Sequence, residues 1–249
     1  MARSGSQSVE RALGVLRAMA AADVDLGVTD VAARTGLSVS TAHRLLQALR
    51  HDGLIAQDPR TERYHLGPTL IALGRRAEAR MPFDHLLPRL QQLAAETGES
   101  VSLGTRVGDE VLIVLHVDSP HPLRFDQPPG TFVPVHASGM GKALLAFAPD
   151  PAAEVAALAE LGTFTAATLT SRDALLADLE RTAARGWALN DGERHGGVRT
   201  MAAPLRDRTG AAWAAVAIQG PTARLTDARL AELSGLLLDA VAVMETTSA

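Results

Sequence analysis

The chain has 249 residues, 47% of them hydrophobic and 21% charged, with a formal net charge of −4 and no cysteine. That length holds one large domain or two smaller ones, and the missing cysteines exclude disulfides, thiolate nucleophiles and cysteine-ligated zinc. No apolar run approaches the roughly 18 to 20 residues that cross a bilayer, and the polar stretch from Met1 to Glu10 lacks a secretory core, so no membrane contact and a cytoplasmic location are expected.

Charge is unevenly spread. Residues 1–80 hold 11 arginines against 8 acidic groups, whereas the rest of the chain holds 13 basic against 20 acidic groups. Contact with a polyanion therefore belongs to the front. Lys142 is the single lysine. Together with the high alanine content this reads as codon bias rather than function.

In chain order, Val9, Leu13, Leu16 and Met19 recur at helical spacing and predict a first amphipathic helix. Gly27 breaks the chain, Thr29 is a candidate cap, and Asp30 to Arg34 form a short helix ended by Gly36. After Thr35-Gly36-Leu37-Ser38, a further helix capped by Ser38 or Ser40 runs to about Arg50. Gly53 to Leu66 then changes period around Asp58-Pro59-Arg60-Thr61, which predicts a β-hairpin. Thr69 to Arg80 reads as a connecting helix that Met81-Pro82 breaks.

Beyond the break, Leu86 to Ala94 predicts a helix ended by Gly98. Ser100–Val107 and Glu110–Val117 alternate about Gly108-Asp109 as an antiparallel hairpin. Lys142–Phe147, Ala152–Leu161 and Asp173–Arg185 read as helices, Trp187–Leu189, Val198–Leu205 and Ala211–Gln219 as strands, and Asp227–Met244 as a closing helix. Helices set around an antiparallel sheet make an α+β domain. The expected organisation is a winged helix-turn-helix over 1–67, a linker helix over 68–82 and a second domain over 83–249.

The helix after Gly36 separates into two faces. Ala42, Leu45, Leu46 and Leu49 repeat at core spacing, while Ser40, Thr41, His43, Arg44 and Gln47 make a polar side. A major groove about 12 Å wide admits such a helix, where arginine pairs with guanine and glutamine with adenine. Arg44 and Gln47 are the expected base readers, with Ser38, Ser40, Thr41 and His43 around them. Arg60 and Arg63 on the hairpin would lie along the backbone or minor groove. Double-stranded operator DNA is the expected partner.

The order of residues resembles the IclR family of bacterial transcription regulators. The resemblance is carried in front by Ser8-Val9-Glu10-Arg11-Ala12-Leu13, by Leu37-Ser38-Val39-Ser40-Thr41-Ala42-His43-Arg44-Leu45-Leu46 and by Tyr64-His65-Leu66-Gly67. Behind, it is carried by Val135 to Ala146 and by Glu193 followed by Gly197-Val198-Arg199-Thr200-Met201-Ala202-Ala203-Pro204-Leu205. It implies a GAF-like effector-binding domain, a homodimer built through the DNA-binding domains and linker helices, a dimer of dimers, and a repressor's role. It also places a small-molecule effector against Gly139, Met140, Asn190, Thr200, Ala217 and Gln219. Relatives that bind small keto-acids carry acidic, thiol or hydroxyl groups at several of these positions. The neutral set here points instead to a neutral or monoanionic ligand with an apolar body, such as a small aromatic or organic acid.

Other signals are set aside. Gly139-Met140-Gly141-Lys142 is no P-loop, because His136 and Ala143 stand where glycine and a hydroxyl are needed. His116, Asp118 and His121 carry metal-ligating atoms, but Pro120 and Pro122 mark an irregular loop and no second cluster accompanies them, so no metal is expected. Ser138 and His136 lack a nucleophile elbow and read as capping groups. No catalytic pair and no cofactor is expected. A ligand-independent DNA-binding protein, or an enzyme with an appended nucleic-acid module, are the alternatives.

Overall fold

A computed structural model describes residues 3–80, 83 and 85–247. The chain divides into two compact units, one up to residue 81 and one from residue 82. The Met81-Pro82 break lies outside the described residues.

The first unit contains α1 (Arg3–Ala20), α2 (Val28–Thr35), α3 (Val39–His51), β1 (Ile55–Gln57), β2 (Tyr64–Leu66) and α4 (Thr69–Glu78). Asp30 rather than Thr29 caps α2: its carboxylate accepts from the Gly27 amide at 2.9 Å. Gly36 ends α2 at φ +67°, a left-handed conformation that costs glycine nothing and lets the chain turn sharply into α3. Ser38 then caps α3 by accepting from the Thr41 amide. The hairpin pairs Ile55 with Leu66 and Gln57 with Tyr64, and Leu26 adds a bridge to Tyr64 as a third short edge.

Val15, Met19, Val31, Ala42, Leu46, Leu49, Ile55 and Tyr64 form the core of this unit. Each fully buried aliphatic side chain contributes about 1.5 to 3 kcal/mol of transfer free energy. The expected stripe on α1 is rotated. Ala12, Val15, Leu16 and Met19 face the core, whereas Val9 and Leu13 stay 60% and 48% exposed. Helix α4 buries no residue at all, and Ile71 and Leu73 point outward.

The second unit is built on a six-stranded antiparallel sheet of order β5-β4-β3-β8-β7-β6. Its strands are β3 (Ser100–Val107), β4 (Glu110–Val117), β5 (Phe132–Pro134), β6 (Ala188–Asp191), β7 (Val198–Arg206) and β8 (Ala212–Pro221). Its helices are α5 (Leu87–Thr97), α6 (Gly139–Ala146), α7 (Pro151–Ala157), α8 (Arg172–Arg185) and α9 (Asp227–Thr247). Val101, Leu103, Met201, Ala203, Leu205, Val216 and Ile218 pack on one side with Leu90, Leu93, Leu233 and Leu237 from α5 and α9. Val111, Ile113, Ala188, Ala202, Ala215 and Ala217 pack on the other with Met140, Leu144 and Leu145 of α6 and Leu175 and Leu179 of α8. The architecture is α+β.

Three elements differ from expectation. Strand β5 has three residues, too few for a period to show. Helix α6 starts at Gly139 rather than Lys142, because the Ser138 hydroxyl accepts from the Gly141 amide at 3.1 Å and offsets the poor helix propensity of two glycines. Helix α7 stops at Ala157, and Leu158 and Leu161 enter the core from an irregular segment. The glycines of α6 also serve packing. A Cβ at Gly141 would stand 2.1 Å from the Val135 carbonyl, and one at Gly139 would stand 3.0 Å from the Thr200 methyl.

Candidate functional site

Two sites are built, one in each unit. Helix α3 turns Ala42, Leu46 and Leu49 inward and presents Ser38, Ser40, His43 and Arg44 to solvent, with Thr41 half-buried. The Ser38 hydroxyl lies 2.9 Å from that of Thr41 and 3.2 Å from that of Ser40, so the first turn carries a small hydroxyl cluster. Among the described residues, no side-chain partner holds Arg44, and its guanidinium is free to enter a groove.

Gln47 and Arg63 behave otherwise. The Gln47 amide donates to the Tyr64 hydroxyl at 3.2 Å and lies 3.4 Å from the His43 ring. Arg63 donates to the Asp25 carbonyl at 2.7 Å and to the Asp30 carboxylate at 3.1 Å. Both therefore brace the head, Gln47 from a half-buried position and Arg63 from the surface. Arg60 stands at the hairpin tip, its side chain 89% exposed, with Asp58 at 3.9 Å beside it. Arg50, unnoticed in the sequence, donates to Gln57 at 2.8 Å and ties the end of α3 to β1.

In the second unit, the strand registers align Asn190 with Thr200 and Thr200 with Gln219. These side chains, with Gly139 and Met140 at the start of α6, line a partly open cavity of about 20 Å³, room for about one water molecule. The Asn190 amide donates to the Ala137 carbonyl at 2.7 Å, and the Gln219 amide to the Ser102 hydroxyl at 2.8 Å. Ala217 does not reach the lining: it is fully buried in the sheet–α6 core.

The lining is not neutral. The turn between β6 and β7 brings in Arg194 and His195, and the irregular segment after β4 brings in Phe125 and Gln127. Burial holds the Arg194 guanidinium below its usual range, and no counter-charge or hydrogen-bond partner offsets this among the described residues. Burial and then the Arg194 charge push His195 below the usual imidazole range, which favours its neutral form. The readable signal was a cation in the glycine-rich turn joining the strands of Asn190 and Thr200.

A buried ion cluster supports this wall. Lys142, 1% exposed, places its ammonium 2.5 Å from Glu193 Oε1 and 2.8 Å from Asp178 Oδ2, and also donates to the Leu189 carbonyl. Burial raises Glu193 despite Lys142. At Asp178 burial works in the same direction, but the lysine and Arg181 outweigh it and hold the carboxyl below its usual range. Ser138 caps α6 as expected, whereas the His136 ring contacts the Gly162 carbonyl at 3.0 Å.

Compared with known families, residues 8–59 match the IclR helix-turn-helix domain and residues 83–245 match the C-terminal domain of bacterial IclR transcriptional regulators. The chain belongs to the IclR family. Similar proteins include the transcriptional regulator BhcR of Paracoccus denitrificans, 38% identical over 238 residues that span 95% of this chain and 85% of that one. A transcriptional regulator of Rhodococcus sp. RHA1 superposes with TM-score 0.77 at 30% identity, over 97% and 98% of the two chains. An IclR homologue of Microbacterium hydrocarbonoxydans, crystallised with 4-hydroxybenzoate, superposes with TM-score 0.76 at 22% identity, over 96% and 98%.

As an IclR-type protein, the chain is a DNA-binding transcriptional regulator and not an enzyme. Among its described residues, no helix is long and apolar enough to cross a membrane.

Proposed function

We propose that this regulator is a homodimeric, cytoplasmic repressor whose hold on operator DNA changes when a small carboxylate with an apolar, aromatic body enters the cavity of the second unit. The observation that carries the reading is Arg194, a half-buried guanidinium without a partner among the described residues. It faces a cavity whose remaining wall includes Phe125, Val133, Met140 and Val198. A carboxylate answers the buried cation with bidentate hydrogen bonds, and an aromatic body answers the apolar wall. The Microbacterium relative's complex with 4-hydroxybenzoate agrees with that class.

At about 20 Å³ the cavity is too small for an aromatic acid. Opening of the lining around the ligand would supply a difference between two states for the ligand to act on. A homodimer is supported by the apolar residues that the first unit leaves outward, Val9 and Leu13 on α1 and Ile71 and Leu73 on α4. DNA reading is assigned to Arg44, with Ser38, Ser40, Thr41, His43 and Arg60 gripping the backbone.

A thermal-shift comparison of benzoate, 4-hydroxybenzoate, benzamide and glyoxylate tests the ligand class, followed by operator binding with the positive compounds. Stabilisation by the aromatic carboxylates and not by benzamide is expected. Equal stabilisation by benzamide, or stabilisation by glyoxylate alone, would overturn it.

A further inference from the structure

At one edge of the same sheet, the second unit holds a second cluster that the effector reading leaves unused. His116 lies near the end of β4, with its side chain only 6% exposed. Its Nδ1 lies 2.8 Å from the Ser102 hydroxyl. Its buried Nε2 has no hydrogen-bond partner among the described residues, yet it points between two carboxylates. Asp118 Oδ1 stands 3.3 Å away and Asp126 Oδ1 3.8 Å away. A buried ring nitrogen without a hydrogen bond is costly, and this one lies within ion-pairing distance of two carboxylate oxygens while hydrogen-bonding neither.

We propose that His116, Asp118 and Asp126 form a binding site for a divalent transition-metal ion of the zinc class. One imidazole nitrogen and two carboxylate oxygens are the donors such an ion accepts, at about 2.0 to 2.2 Å each. Ligand atoms at those bond lengths around a tetrahedral centre stand roughly 3.3 to 3.6 Å apart. The two separations from Nε2 fall near that spacing and beyond a good hydrogen bond. All three ligand atoms lie within 4.8 Å of one another.

The surroundings are those of a metal-bound histidine. The Ser102 hydroxyl has two lone pairs, so it can accept from Nδ1–H while also accepting from the Gln219 amide at 2.8 Å. That leaves the Nε2 lone pair free and turned toward the carboxylates. Metal-ligating imidazoles characteristically donate their other nitrogen in this way. Arg124 donates to Asp118 at 3.2 Å and orients that carboxylate from the outside. The two carboxylates sit on the exposed rim, so water completes the coordination. His121, which also carries ligand atoms, does not join the group.

The site borders the effector cavity on two sides. Asp126 falls between Phe125 and Gln127, both in the cavity wall, and Gln219 joins the wall to His116 through Ser102. A bound ion ties the segment from 118 to 126 down to β4 beside the cavity.

The test is titration calorimetry of the 249-residue chain, stripped with EDTA and titrated with zinc chloride or magnesium chloride. The variants are Asp118→Asn, Asp126→Asn and their double mutant, with Asp239→Asn on α9 as a surface control. The substituted side chains are exposed, and circular dichroism checks that each variant folds. One zinc per chain is expected, with magnesium much weaker. Each single variant weakens zinc by more than about tenfold, the double variant abolishes it, and the control leaves it unchanged. No saturable zinc binding, or zinc binding that survives both carboxylate substitutions, overturns the site. Neither outcome bears on the effector reading, which rests on Arg194.

Discussion

The side-chain amide of Gln47 on α3 donates to the hydroxyl of Tyr64 on β2 at 3.2 Å, which ties α3 to the hairpin. Tyr64 is itself buried and paired through its backbone with Leu26. A side chain spent in this way is a poor base reader. Gln47→Ala is expected to cost about 0.5 to 1.5 kcal/mol of stability and to weaken cognate and random DNA alike. Arg44→Ala is expected to weaken the cognate site by about 1 to 3 kcal/mol with little effect on random sequence. Fluorescence anisotropy on both kinds of duplex separates the two. Selective loss of the cognate site in Gln47→Ala would return that residue to base reading.

Arg194 is held in the cavity wall without a partner among the described residues, and the proposed carboxylate effector would supply one. Arg194→Met keeps the apolar stem and removes the charge. It should lower affinity for aromatic carboxylates more than about tenfold, since a charge-assisted hydrogen bond is worth roughly 1.5 to 3 kcal/mol, while operator binding without ligand stays intact. Calorimetry with benzoate checks the first statement and anisotropy the second.

Lys142 neutralises two buried carboxylates at once. Lys142→Met leaves the buried Glu193 without its cation and Asp178 with Arg181 alone, and a loss of about 3 to 5 kcal/mol is expected in chemical denaturation. Glu193→Gln should be far milder, because Lys142 and Asp178 remain paired.

The pH dependence follows from the direction of the Glu193 shift. Its folded value is raised above the ordinary 4.5, so its contribution is fully present below that pH and is lost as pH rises through the folded value. Asp178 runs the opposite way, its contribution being lost as pH falls below 3.8. Glutamine does not titrate. The stability of Glu193→Gln relative to the unsubstituted protein should therefore increase as pH rises from 4.5, and an unchanging difference between pH 4 and pH 8 would contradict the assigned shift.

Leu13 on α1 and Ile71 on α4 are apolar, outward and unburied within their own unit. Leu13→Glu and Ile71→Glu should leave helix content unchanged yet shift sedimentation toward the monomer, with loss of operator binding. A dimer that persists in both variants would place the interface elsewhere.

Local signals made most of the elements legible. Gly36 between two short periodic runs, the alternation about Gly108-Asp109 and the cap at Ser38 are written in adjacent residues, because turn geometry and helix capping act over two to four positions. The start of α6 was missed for the complementary reason: its glycines satisfy close contacts with Val135 and Thr200, far away in the chain.

By itself the sequence determined the winged helix-turn-helix, the α+β second unit, the exposed Arg44 face and five strands of the second unit to within a residue or two. Only the tertiary structure decided that Gln47 and Arg63 brace the head, that Ala217 is core, that Arg194 charges the cavity and that Asp126 rather than His121 meets His116. Periodicity reports which face of an element a residue occupies. What that face meets depends on pairing across the sheet, where Gln219, Thr200 and Asn190 become neighbours although 19 and 10 residues separate them along the chain.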